Sequence, residues 1–124
     1  MIDEAIALLK EAITLTGYHG TQDTIDEFRL PAWFSNTHEH ADMFSADWGH
    51  TGGRSDDSKV YTVELTFDNP YYTEDWSVTE PHDAKKMMND LIAQGYDSVI
   101  FTSPDDPGER EYIAFKSSQI KFRD

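Results

Sequence analysis

Val60-Tyr61-Thr62-Val63-Glu64-Leu65-Thr66-Phe67 sets the class of fold expected for this sequence. From residue 61 onward, apolar or aromatic side chains alternate with polar ones. A period of two over eight residues predicts a β-strand with one face buried. The turn-forming Asp68-Asn69-Pro70 follows and ends it.

Shorter strand patterns lie on both sides of this segment. They cover residues 15–21, 31–35, 98–102, 111–115 and 120–122. No regular helical crossover separates these strands, so we expect them to pair mostly antiparallel. The glycine fingerprints of parallel nucleotide-binding sheets, GxGxxG and GxxxxGK[ST], do not occur either.

Three segments carry the apolar spacing of amphipathic helices, at residues 2–16, about 38–47, and 81–94. Gly17 and Gly95 are predicted to stop the first and the third, while Thr37 and Thr79 are predicted caps for the second and the third. Residues 71–79 read as an aromatic and acidic connector. Helices and strands in this mixture predict an α+β fold.

The chain has 124 residues, enough for a single domain over residues 1–124. It has no cysteine, no run of about 18 apolar residues and an acidic start, which predict a cytoplasmic protein without a membrane segment. The net charge of -14 argues against direct nucleic-acid binding, since phosphates repel such a surface. The excess of acidic residues either serves solubility alone or forms an acidic face that recognises a partner with a basic surface.

Three separated motifs point to function. They are Tyr18-His19-Gly20-Thr21, then Ala32-Trp33-Phe34-Ser35 with Ala41-Asp42-Met43-Phe44, and last the run from Arg110-Glu111-Tyr112-Ile113-Ala114-Phe115 to Gln119-Ile120-Lys121. In this order they resemble the ADP-ribosyltransferase superfamily, in the histidine-containing branch of diphtheria toxin and the poly(ADP-ribose) polymerases. The last motif is the most specific. We therefore expect a small mono-ADP-ribosyltransferase of bacterial or phage origin.

The resemblance implies two small, mostly antiparallel sheets around an NAD cleft, with flanking helices. It makes Glu111 and His19 the catalytic residues: the Glu111 carboxylate holds the nicotinamide ribose and steadies the cationic sugar, and His19 hydrogen-bonds the adenosine ribose. Gly20 offers backbone groups to the nicotinamide amide, and Phe44 stands where the family stacks a tyrosine. The implied NAD-binding positions are His19, Gly20, Thr21, Trp33, Phe34, Ser35 and Phe44.

The chain departs from the family pattern at two positions. Trp33 stands in place of a second tyrosine; its ring can stack and its indole N–H can donate, but it has no hydroxyl acceptor. Ala41 stands where polymerase-like members often have a serine. Glu109 precedes Glu111 by two residues, as in the arginine-modifying branch, but that branch starts with an arginine instead of His19, so a solvated turn position is expected for Glu109.

The function expected from the sequence is cleavage of NAD and transfer of ADP-ribose to a protein acceptor. Three alternatives remain open: an inactive acidic interaction protein, such as a phage inhibitor, a small-molecule (antibiotic) ADP-ribosyltransferase, and plain NAD hydrolysis. No metal is expected, since His38, His40 and His50 do not have converging ligand spacing. NAD is thus the one small molecule implied.

Overall fold

The computed structural model describes residues 12–21, 28–39 and 59–123, which form a mixed α+β fold. The seven strands are β1 (Ile13–Thr21), β2 (Ala32–Ser35), β3 (Lys59–Phe67), β4 (Pro70–Thr73), β5 (Ser98–Thr102), β6 (Arg110–Ala114) and β7 (Ile120–Arg123). One complete α-helix, α1 (Ala84–Ala93), and two 3-10 turns, Trp76–Val78 and Ser117–Gln119, complete the described part. The α+β class and the six predicted strands are confirmed.

The strands form one sheet in the order β4-β5-β6-β2-β1-β3-β7. Five of its pairings are antiparallel and β4 with β5 is parallel, so the mostly antiparallel prediction is confirmed. The prediction of two sheets is wrong, because one registered pair, Tyr18 with Ser35, joins β1 to β2 and makes the ladder continuous. Since it is the single registered pair between these described strands, the sheet is weakly connected at its centre.

The predicted helix over residues 2–16 is wrong for its last four residues, which lie in the first strand. Residues 13–16 belong to β1, which pairs with β3 along its whole length, and residues 1–11 lie outside the described part. Pairing with β3 over nine residues, several of them β-branched, stabilises a strand there more than the helical spacing of apolar residues favours a helix. Gly17 does not stop a helix but lies within the strand, where a Cβ atom would be 2.8 Å from Leu65 Cδ1 and 3.0 Å from Phe34 Cβ.

Two apolar clusters lie on opposite faces of the sheet, since neighbouring strand residues point to opposite sides. The first contains Phe28, Ala32, Phe34, Val63, Leu65, Phe67, Ile100, Tyr112 and Ala114. The second contains Val78, Leu91, Val99, Phe101, Ile113 and Phe115. The α1 helix packs on the second face through buried Leu91 with Met87 and Met88, whereas Ile92 is 43% exposed.

The segment between β3 and α1 holds more structure than the predicted connector. It contains edge strand β4 and the 3-10 turn Trp76–Val78, and Thr79 closes that turn instead of capping α1. Asp83 caps α1 by accepting from the Lys86 N–H at 3.0 Å. Gly95 ends α1 as predicted, with a φ of 99°. No helix in residues 12–21, 28–39 and 59–123 has the length and apolarity to cross a membrane.

Candidate active-site cleft

Described residues from all three motifs line one cleft of about 620 Å³. The strands that carry them, β6, β2 and β1, are neighbours in the sheet. The lining residues are Tyr18, His19, Gly20, Trp33, Phe34, Ser35, Trp76, Thr79, Glu80, Glu109 and Glu111. The cleft lies where the sheet is weakly connected, beside the pair of Tyr18 with Ser35.

The register of the strands explains how Glu111 reaches the cleft. Ser35 is the Cα partner of Glu111 on β6 and of Tyr18 on β1. Directly opposed residues of antiparallel strands have side chains on the same face. Glu111, Ser35 and Tyr18 therefore form one row across three strands, and the row continues on β5 with Phe101, the other partner of Glu111.

The Glu111 carboxyl group has an unusual affinity for a proton. Burial, and after it the negative charges of Glu109 and Glu80, together raise its pKa from an ordinary 4.5 to about 7. The group thus changes charge near neutral pH. A partly desolvated carboxylate of this kind is typical of catalytic sites.

Asn36 holds the turn that carries Glu109 and Glu111. Its Nδ2 donates to the Gly108 carbonyl at 2.8 Å, and its Oδ1 accepts from the Arg110 N–H at 3.0 Å. The Asn36 N–H donates to the Arg110 carbonyl at 3.1 Å. The Asn36 side chain thus attaches the acidic turn at residues 104–108 to the end of β2.

His19 is held by the neighbouring strand in one ring orientation. Its Nδ1 lies 2.8 Å from the Trp33 carbonyl oxygen, which can only accept, so Nδ1 carries the proton. The rings of Phe28 and Phe34 meet it edge-on at 5.1 and 5.8 Å. In the neutral ring Nε2 is then an acceptor, suited to a ligand hydroxyl.

The β2 motif residues have different surroundings. Trp33 lines the cleft, packs on the second cluster and donates its indole N–H to the Val78 carbonyl at 3.3 Å. Phe34 is 2% exposed and packs within the first cluster. Ser35 is buried, and its Oγ accepts from the Thr37 N–H at 3.2 Å. Much of this motif therefore builds the wall of the cleft.

Some predicted positions cannot be placed against the cleft. Gly20 lines it and Thr21 ends β1 opposite Lys59, whereas Phe44 and Ala41 lie outside the described residues. The predicted second helix is described only at His38 and Glu39, which are helical. The described ranges contain no group of three or more His, Asp or Glu residues arranged for a metal, and His40 and His50 lie outside them.

One wall of the cleft comes from a segment that was not predicted to contribute to a site. Trp76, Thr79 and Glu80 line it from the segment read as a connector and helix cap. Glu109, predicted to be a solvated turn residue, also lines it beside Glu111. The aromatic and acidic composition of residues 71–79 was the available signal, but nothing local places that segment opposite β6.

Comparisons of the chain with protein-family models, curated proteins and solved structures gave no match.

Proposed function

We propose that the chain is an NAD-dependent mono-ADP-ribosyltransferase of ADP-ribosyltransferase-like fold, with a protein acceptor. One observation carries the proposal: three motifs far apart in sequence supply His19, Ser35 and Glu111 to the same cleft. By the resemblance, His19 holds the adenosine ribose and the half-buried Glu111 carboxylate holds the nicotinamide ribose. The resemblance of the motifs to the superfamily supports the same assignment.

The reaction breaks the bond between nicotinamide nitrogen and ribose C1′. The bonding electron pair leaves with the nitrogen, so the nicotinamide becomes neutral and the sugar becomes an oxocarbenium-like cation. The ionised Glu111 carboxylate stabilises that charge and accepts from a ribose hydroxyl. The acceptor nucleophile then attacks C1′ and releases its proton, which completes the transfer.

The raised pKa of Glu111 couples proton release to NAD binding. The carboxyl group must be ionised to stabilise the sugar cation, yet in the free cleft its pKa is about 7. The nicotinamide of NAD carries a positive charge, which lowers the pKa of a nearby carboxyl group. Binding of NAD therefore favours the charged form of Glu111 that the reaction needs.

The charge of the chain favours a cationic acceptor surface. The net charge is -14, and Glu80 and Glu109 line the same cleft as Glu111. A basic protein surface is steered toward such a site and a phosphate backbone is repelled. This favours a protein acceptor over a nucleic acid.

Mass spectrometry after incubation with lysate and NAD tests the proposal. We expect ADP-ribose adducts with wild type, none with Glu111→Gln, and full labelling with Glu74→Gln, an exposed connector residue as matched control. Free nicotinamide without protein adducts would favour hydrolysis or a small-molecule acceptor. No NAD cleavage, with partner capture unchanged by Glu111→Gln, would instead identify an acidic interaction protein.

A further inference from the structure

Trp76 presents an exposed aromatic ring to the cleft. Four aromatic side chains line this cleft in the described ranges, namely Tyr18, Trp33, Phe34 and Trp76. Phe34 is buried, and Trp33 and Tyr18 are half-buried, whereas Trp76 is 46% exposed. Trp76 therefore has the largest exposed fraction with which to meet a ligand.

The turn that carries Trp76 is firmly held. Asp75 Oδ1 accepts from the Ser77 N–H at 2.9 Å, and the Thr79 hydroxyl donates to the Trp76 carbonyl at 2.8 Å. Val78 anchors the turn in the second cluster, and its carbonyl accepts the indole N–H of Trp33. Trp33 thus stabilises the turn on which Trp76 is exposed.

Trp76 lies on the Glu111 side of the cleft. Its ring is tilted on that of Phe101, with centroids 4.9 Å apart. Phe101 is the Cα partner of Glu111 across β5 and β6, so the two side chains are neighbours on the same face. A planar group next to the bond that Glu111 acts on is therefore close to Trp76.

We infer that Trp76 is the stacking platform for the nicotinamide ring, an inference that rests on the proposed function. The oxidised nicotinamide ring is flat and positively charged, and tryptophan is the side chain whose face attracts a cation most strongly. The neutral nicotinamide product loses this attraction once the glycosidic bond breaks. The platform therefore favours oxidised substrate over both the product and the reduced cofactor.

Calorimetry with three probes separates ring recognition from the rest of the cleft. The probes are nicotinamide mononucleotide, its reduced form, and ADP-ribose, which has no nicotinamide. For Trp76→Ala we expect affinity for the oxidised mononucleotide to fall roughly 3- to 30-fold, with a smaller change for the reduced form and no change for ADP-ribose. Trp76→Phe is expected to lose less affinity for the oxidised mononucleotide. Tyr72→Ala, which removes an exposed aromatic side chain from edge strand β4, is expected to lose none.

The outcomes distinguish this inference from the proposed function. If wild type binds NAD and Trp76→Ala binds the oxidised mononucleotide equally well, the platform is wrong and the proposed function stands. If Trp76→Ala loses affinity for ADP-ribose and for both mononucleotides to the same extent, Trp76 supports the structure of the cleft, and the platform is also wrong. If wild type binds neither NAD nor ADP-ribose, both proposals fail.

Discussion

Asn36 donates from Nδ2 to the Gly108 carbonyl at 2.8 Å, although 72 positions of the chain separate the two residues. With the two bonds to Arg110, this contact fastens the end of β2 to the head of β6. It thereby keeps Ser35 opposite Glu111, so Asn36 acts on the cleft through position and not through contact with a ligand.

Asn36→Ala should lower the free energy of unfolding by about 1–2 kcal/mol, because the Gly108 carbonyl and the Arg110 N–H lose their partner. Denaturation in urea measures this. Asn89→Ala, on the exposed side of α1, is the control and should change stability by less than about 0.5 kcal/mol. Equal effects of the two substitutions would contradict a fastening role.

Gly17→Ala should destabilise the protein by about 1–3 kcal/mol through overpacking. The added methyl group would be 3.0 Å from Phe34 Cβ, an atom that cannot move without its strand, and 2.8 Å from Cδ1 of fully buried Leu65. Thr14→Ala, exposed on the same strand, serves as control in thermal and urea unfolding. A neutral Gly17→Ala would show that β1 and β2 are not packed so closely.

The stability of wild type relative to Glu111→Gln should fall as pH rises from 4.5 to 7. The pKa of Glu111 is about 7 in the folded protein against an ordinary 4.5, so the folded state binds the proton more tightly. The stabilising contribution of the protonated Glu111 carboxyl group is full below pH 4.5 and is lost as pH rises through 7. A pH-independent difference in urea unfolding would exclude a raised pKa.

Glu109→Gln should move the pH dependence of nicotinamide release to lower pH. The negative charge of Glu109 raises the pKa of Glu111, so its removal lets Glu111 ionise earlier. We expect kcat/KM for NAD cleavage by wild type to change with pH around a midpoint near pH 7. Glu80→Gln should shift it less and Glu74→Gln not at all; an unmoved midpoint in Glu109→Gln would assign the titration to another group.

His19→Asn should keep the fold and lose affinity for ADP-ribose. The asparagine amide can donate to the Trp33 carbonyl as Nδ1 does, but it has no atom in place of Nε2. We expect an affinity roughly 10-fold lower, the value of one or two hydrogen bonds, in calorimetry with ADP-ribose. His82→Asn, exposed beside α1, is the matched control, and equal affinities of both variants would remove His19 from the ribose site.

Local patterns predicted most of the strands. The alternation in residues 60–67 follows from one buried face and matched β3, whereas the apolar run of residues 98–102 matched β5, whose residues 98–101 are all buried. Edge strand β4 was missed because Pro70-Tyr71-Tyr72-Thr73 becomes a strand only through its parallel pairing with β5. Residues 13–16 fit a helical spacing as well as a strand, and their pairing with β3 decided between the two.

The sequence by itself determined the α+β class, the acidic charge and the three motifs with His19 and Glu111. These depend on side-chain type and on periodicity along the chain. Only the tertiary structure decided that one sheet forms, that Asn36 attaches the Glu111 turn to β2, and that Trp76 and Glu80 face the same cleft. It also raised the pKa of Glu111 to about 7, because burial and neighbouring carboxylates come from strand register and from a turn distant in sequence.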